Sequence, residues 1–293
     1  MLTIILGFAT ALVYGFADFF GAVASKRIQP VVVTSWAGIS GLSLVFFASL
    51  FLGADFSTAG ILWGLTAGVA SAVAMTCLYA SLAIGPISII SPLSAVVSAI
   101  VPMIFGALQG DRFSLWGWVA LAGILVAVIL VGFVPGKDVR LPTPKGTLLG
   151  LAAGAGIGLV LSALARAPHD TGLTSVIFMR ATSAGLLGVF MAVTLSKTKN
   201  RYASGGQADS PKLKTSMRFW WAVIFAGFFD SSANIFFTLA SRTGSLSVVA
   251  VLTALYPLGT IILARIILKE RIAKTQLAGI ILALCCSALL AVA

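Results

Sequence analysis

The sequence predicts an all-α membrane protein of ten transmembrane helices, arranged as two inverted five-helix repeats. Three observations carry that prediction. Of 293 residues, 59% are hydrophobic and only 9% charged, against roughly 25% charged in soluble domains. The apolar residues fall into runs long enough to cross a hydrocarbon core, which takes about 20 residues. The chain also says one thing twice: Asp111-Arg112 and Glu270-Arg271, each lying between two apolar runs, are 159 residues apart.

The spans read off these runs lie at 2 to 25, 30 to 53, 58 to 83, 87 to 108, 114 to 135, 146 to 166, 173 to 196, 218 to 241, 246 to 268 and 273 to 292. The first carries Ala22-Val23-Ala24, like a signal-peptidase site. It lacks a positive leading region and holds Asp18 in its body, so it reads as a retained helix. Connections such as "GADFS" and "AIGPI" leave no room for a soluble domain. The stretch 196 to 218 is long and polar enough for a flexible surface linker. Pro92, Pro102 and Pro257 remove backbone donors inside spans 4 and 9 and predict kinks there. Gly150, Gly154 and Gly158 form a close-packing face on span 6.

Laid over each other, the halves match span by span. "LGFATALVYG" sits on "LGLAAGAGIG", "WAGISGLSLVF" on "RATSAGLLGVF", and "GPISIISPLSA" on "GSLSVVAVLTA". The repeats are residues 1–136 and 146–293. Because five is odd, the second copy enters the membrane upside down relative to the first, the plan of many secondary transporters whose substrate sits between the repeats at the midplane.

The tandem repeat and "LTALYPLGTIILARIILKERIAKTQLAGIILAL" resemble the EamA-type branch of the drug/metabolite transporter superfamily. Its repeats end in a Pro-containing helix, an acid-plus-basic turn and a Gly-bearing final helix. The resemblance covers the whole chain. It implies alternating-access export of small organic metabolites, amino acids first among a range that includes sugars, nucleotide sugars and drugs, across a bacterial-type inner membrane. Val97-Ser98 departs from the pattern, standing where the second repeat has Tyr256-Pro257.

Fifteen of the nineteen lysines and arginines fall on the face reached after span 1. By the positive-inside rule that face is cytoplasmic and both termini lie outside; the resemblance implies cytoplasmic termini instead. The net charge of +11 is thus a topology signal, since the basic residues sit in short loops and form no nucleic-acid surface.

Three ionisable residues lie within spans: Asp18, Arg180 and Asp230. Each costs about 2.5–3.5 kcal/mol at a helix centre, so each calls for a partner or a watery cavity. Helical rise puts Asp18 and Arg180 each about 10 Å from opposite faces, close enough in height for an Arg side chain and one water to span most of the gap. Asp230, Asn234 and Thr238 share one face of span 8, and their repeat mates Ser71, Met75 and Tyr79 share one face of span 3. Thr253, Tyr256 and Thr260 form a stripe on span 9, next to Pro257, and Ser91, Ser94 and Ser98 form one on span 4. Tyr14 stands one turn before Asp18, and Trp36 holds the place in span 2 that Arg180 holds in span 7. The candidate pathway is therefore Tyr14, Asp18, Trp36, Tyr79, Ser94, Arg180, Asp230, Asn234, Tyr256 and Pro257. Tyr14, Trp36, Tyr79 and Tyr256 favour aromatic or bulky apolar amino acids. Asp18 or Asp230 is placed to meet an amine or a proton, and Arg180 a carboxylate. Buried acids suit proton-coupled and facilitated schemes alike.

The partners expected are thus a small-molecule substrate, the lipid bilayer and, in the coupled scheme, protons. Two fused repeats complete a pathway in one chain, so a monomer suffices. No cofactor or metal is expected: Cys77, Cys285 and Cys286 lack ligand spacing. Gly38-Ile39-Ser40-Gly41 resembles the nucleophile motif of rhomboid intramembrane proteases, but such a serine needs a histidine base from another span. The one histidine, His169, lies in a loop.

Overall fold

Backbone N–H and C=O groups cannot face lipid unpaired, and in the computed structural model of this chain helices meet that demand. The structure describes all residues except 86, 109, 111–113, 133–142, 204–216, 268–272 and 293. The helices are α1 Leu2–Ser25, α2 Pro30–Leu52, α3 Thr58–Ile84, α4 Ile87–Leu108, α5 Leu115–Gly132, α6 Pro144–Arg166, α7 Thr174–Ala203, α8 Met217–Ser241, α9 Leu246–Thr253, α10 Pro257–Ile267 and α11 Lys274–Val292, with a 3-10 turn at His169–Thr171. Among the described residues the only strand-like pairing is one bridge between Ala54 and Gly172. Among the described residues, seven helices are long and apolar enough to cross a membrane, and two shorter apolar stretches, Leu115–Leu130 and Leu246–Thr260, accompany them. The expected doublets Asp111-Arg112 and Glu270-Arg271 lie outside the described residues.

Local sequence sets the helix starts. Ser57 and Thr143 each accept a bond from the N–H three residues on, at Gly60 and Gly146, both at 3.1 Å. These bonds satisfy donors that a helix start leaves free. Pro30 and Pro144 open α2 and α6 at positions that have no N–H to lose. Gly53, at φ 78°, turns the chain out of α2 in a conformation that suits glycine.

Two expectations need correction. The sequence predicts one helix over 246 to 268, but the structure breaks it between Thr253 and Pro257. Proline has no N–H to give the Thr253 carbonyl, which instead accepts from Tyr256 N at 3.1 Å. The chain passes through the break on short-range bonds, Leu255 N to Leu252 O and Leu258 N to Leu255 O. α4, with Pro92 and Pro102, runs through both without interruption. The second correction concerns the polar linker expected from 196: α7 continues to Ala203, and the rest of that stretch, 204–216, lies outside the described residues.

Several helix connections gather at one end of the bundle. There Thr3 bonds Thr243, Arg242 donates to the Gly172 carbonyl and Thr174 donates to that of Asp55. This end holds the N-terminus and the connections α2–α3, α6–α7 and α8–α9. Laterally, α1 packs on α8 and α3 on α6; α2 packs on α8 and α3 on α7; α4 packs on α6 and α1 on α10. α2 also meets α7, α4 meets α9, and α5 meets α11.

Small residues mediate many of these contacts, and several large ones face outward. Ala67 and Ala74 are buried in α3, whereas Val69 and Val73 on the same helix are exposed, as are Phe46, Phe47 and Phe51 on α2. Gly15 is among the tightest cases. A Cβ there would run into the Tyr256 carbonyl oxygen and come within 2.6 Å of Gly259 Cα, and Thr260 Oγ1 donates to the Gly15 carbonyl at 3.1 Å.

The expected outcome of Gly15→Ala is therefore a loss of roughly 1–3 kcal/mol from overpacking against backbone, measured as a lowered midpoint in thermal unfolding of detergent-purified protein. Gly185→Ala, where a Cβ meets nothing within 4 Å, should leave that midpoint unchanged.

Candidate functional site

The helix break and the polar face of α8 meet near the middle of the bundle. Asp230, Asn234 and Thr238 follow one another at one-turn intervals. Asn234 Nδ2 donates to the Asp230 carbonyl at 2.7 Å, and Thr238 Oγ1 donates to that of Asn234 at 2.8 Å. Across from them Tyr14 Oη donates to Asn234 Oδ1 at 2.8 Å, tying α1 to α8. On the other side Tyr256, set by the break before Pro257, places its Oη 2.6 Å from Ser94 Oγ and donates to the Ser91 carbonyl at 3.2 Å.

These groups bound a central cavity. Tyr14, Asp18, Asp230, Asn234 and Tyr256 line it together with Ser71, Ser98 and Thr253, and Met75, Leu78, Ile157 and Val160 supply apolar wall. It offers about 30 Å³, room for a water or two and far below the roughly 300–1,000 Å³ of small-molecule pockets. In this conformation the cavity is too small for an organic molecule, and helices must separate to admit one. Asp18 is 6% exposed, and its Oδ2 has no protein partner.

Arg180 and Asp230 form a buried ion pair between Nη2 and Oδ2, joining α7 to α8. Beyond the pair lies a second, smaller cavity of about 10 Å³, bounded by Thr34, Ala37, Gly38, Met75, Tyr79, Arg180, Ser183, Leu187 and Asp230. Asp230 and Met75 line both cavities, whereas Arg180 lines only the second.

Of the residues expected from sequence, Tyr14, Asp18, Asp230, Asn234 and Tyr256 come together at the central cavity. Tyr79 and Arg180 stand at the second one. Ser94 lies behind Tyr256 and holds its hydroxyl, and Pro257 acts through the break. Trp36 does not join them: it is 45% exposed on the outside of α2, with its ring edge-on to Trp220. Of the two acids within reach by height, Arg180 pairs with Asp230. Height along the membrane says nothing about lateral neighbours, and α7 packs on α2 and α3. Sequence reasoning missed Ile157, Val160, Leu78, Thr34 and Ser183. Ser183 lies three residues after Arg180 on the same helical face, so that face could have been extended to it; the apolar wall residues carry no comparable signal.

Ser40 Oγ is bonded to backbone carbonyls at Ala37 and Ile224, and His169 sits in the 3-10 turn at the end of α6. Among the described residues no three His, Cys, Asp or Glu side chains gather as metal ligands.

The model of the EamA-like transporter family matches residues 144–292. No curated protein matches the sequence. Among the solved structures that match, one crystal structure superposes with a TM-score of 0.72 over 98% of this chain and 95% of that chain, at 15% identity. That likeness concerns the fold alone.

Removing one member of a buried ion pair strands the other, at about 3–5 kcal/mol. Arg180→Gln is expected to destabilise by that amount in chemical unfolding. The double variant Arg180→Gln, Asp230→Asn should recover most of the loss, giving a clearly non-additive cycle.

Proposed function

Because the chain belongs to the EamA-like transporter family, and so is a multi-pass membrane transporter of small molecules, we propose that it exports amino acids, with aromatic or bulky apolar ones favoured, by alternating access between two inverted five-helix repeats. The observation that carries the substrate class is the buried, unpartnered Asp18 carboxylate in the lining of the central cavity. A lone carboxylate away from water is costly, and an ammonium group offsets that cost. Tyr14 and Tyr256 beside it suit a cation through their ring faces. Met75, Leu78, Ile157 and Val160 offer apolar surface to the rest of such a ligand.

The pattern of helix contacts supports the repeat. Exchanging α1 through α5 for α6, α7, α8, the α9–α10 pair and α11 turns every main contact into another one. The α1 to α8 packing becomes α6 to α3, α2 to α8 becomes α7 to α3, and α4 to α6 becomes the α9–α10 pair to α1. The close approach of Gly15 to the Tyr256 carbonyl likewise has a counterpart, Gly158 against Ser98 O and Val101. A cavity at the seam of two such units, small in this conformation, is what a rocking mechanism requires. In this reading the basic face after α1 is cytoplasmic.

The test is counterflow in proteoliposomes, with labelled tryptophan, phenylalanine, threonine and choline. Saturable uptake of tryptophan and phenylalanine is expected. Asp18→Asn should weaken it by about 10- to 100-fold, the worth of a charged hydrogen bond at about 1.5–3 kcal/mol. Choline uptake without any amino acid would move the assignment to organic cations, which the carboxylate and two tyrosines also suit.

A further inference from the structure

The second cavity is the less expected feature. Two of its polar groups are buried and have no protein partner: Arg180 Nε, on a residue 3% exposed, and Tyr79 Oη, on a residue fully buried. Both are donors, and Thr34 and Ser183 line the same cavity. Unpaired buried donors are costly, and two of them bordering one cavity, one a nitrogen of the guanidinium itself, form a place for an anionic oxygen pair, which arginine recognises best. Space for such a group exists only if something leaves. The cavity holds about 10 Å³, and the guanidinium is shielded from the central cavity by the Asp230 carboxylate, which lines both.

Resting on the amino-acid reading above, we propose that this cavity is the subsite for the substrate's carboxylate, which replaces Asp230 on Arg180 and drives Asp230 to take up one proton. The charges then balance. The ammonium meets Asp18, the carboxylate meets Arg180, and Asp230, left without a cation, accepts a proton from water onto a carboxylate oxygen. The groups facing Asp230 are Tyr14 and Asp18 on α1, Tyr79 on α3, Arg180 on α7 and Tyr256 at the α9–α10 break. α2, α6 and α9 present no titratable side chain there. Among the described residues Arg180 is thus the one cation lining either cavity, so the two carboxylates compete for it. Substrate and proton cross together, so outward flux is driven by the internal substrate gradient and slows against a steep inward proton gradient.

The experiment is isothermal titration of the purified full chain in lipid nanodiscs with tryptophan and with tryptamine, which lacks the carboxylate, in buffers of different ionisation enthalpy. Tryptophan is expected to take up about one proton, with affinity falling about tenfold per pH unit as pH rises; tryptamine should take up none. In Asp230→Asn the proton uptake should vanish while tryptophan still binds. Tyr79→Phe should weaken tryptophan about fivefold, the worth of a hydrogen bond of about 1 kcal/mol, and leave tryptamine unchanged. Should Asp230→Asn not fold, the tryptophan–tryptamine contrast in the native protein and in Tyr79→Phe decides alone. Tryptophan binding without proton uptake, or equal proton uptake with tryptamine, overturns the subsite and leaves the substrate class standing. Absence of binding by tryptophan at every pH overturns both.

Discussion

A charge at the centre of a bilayer must find a partner or a pool of water, and the Arg180–Asp230 pair is where this chain meets that constraint. The pair fastens α7 to α8 and separates the two cavities. Asp18 meets the same constraint in the opposite way, by keeping one oxygen free at the edge of the central cavity. One carboxylate is therefore committed to structure in this conformation and the other is left for chemistry. The polar groups around them are held by neighbours: Tyr14 by Asn234, and Tyr256 by Ser94 and the Ser91 carbonyl.

Around this centre, packing follows membrane rules. With no hydrophobic drive between helices in lipid, association depends on close approach and on hydrogen bonds. Gly15 against Tyr256 and Gly259, and Gly227 against Ala37 and Ser40, bring backbones together where a methyl group would not fit. These tight seams join α1 to α10 and α8 to α2. The broken span serves the same end: the turn between α9 and α10 sets Tyr256 where its hydroxyl reaches α4 and where α1 can lie directly against its backbone.

Much of the fold was legible because bilayer thickness translates directly into run length. The boundaries of α1, α2, α3, α4 and α6 lie within a residue or two of the predicted spans. The polar stripes on α8 and α1 also reached the cavity as helical spacing implied. Span 9 was read as one kinked span, because a proline inside an apolar run can leave a helix uninterrupted, as in α4, or break it, as before Pro257. Trp36 was misassigned by analogy with Arg180. Equivalent positions in two repeats share a place along the helix axis, but a tryptophan is content facing outward from the bundle and an arginine is not.

The sequence by itself determined that the chain crosses a membrane many times, which family it resembles, and which three charged residues must matter. These follow from composition and from spacing along single helices, which one dimension records. Only the tertiary structure decided that Arg180 belongs to Asp230, that Asp18 stands free, and that Tyr79 faces a second cavity. Those facts depend on which helices are lateral neighbours. Lateral position is set by the fit of small residues between helices, and no periodicity within one span encodes it.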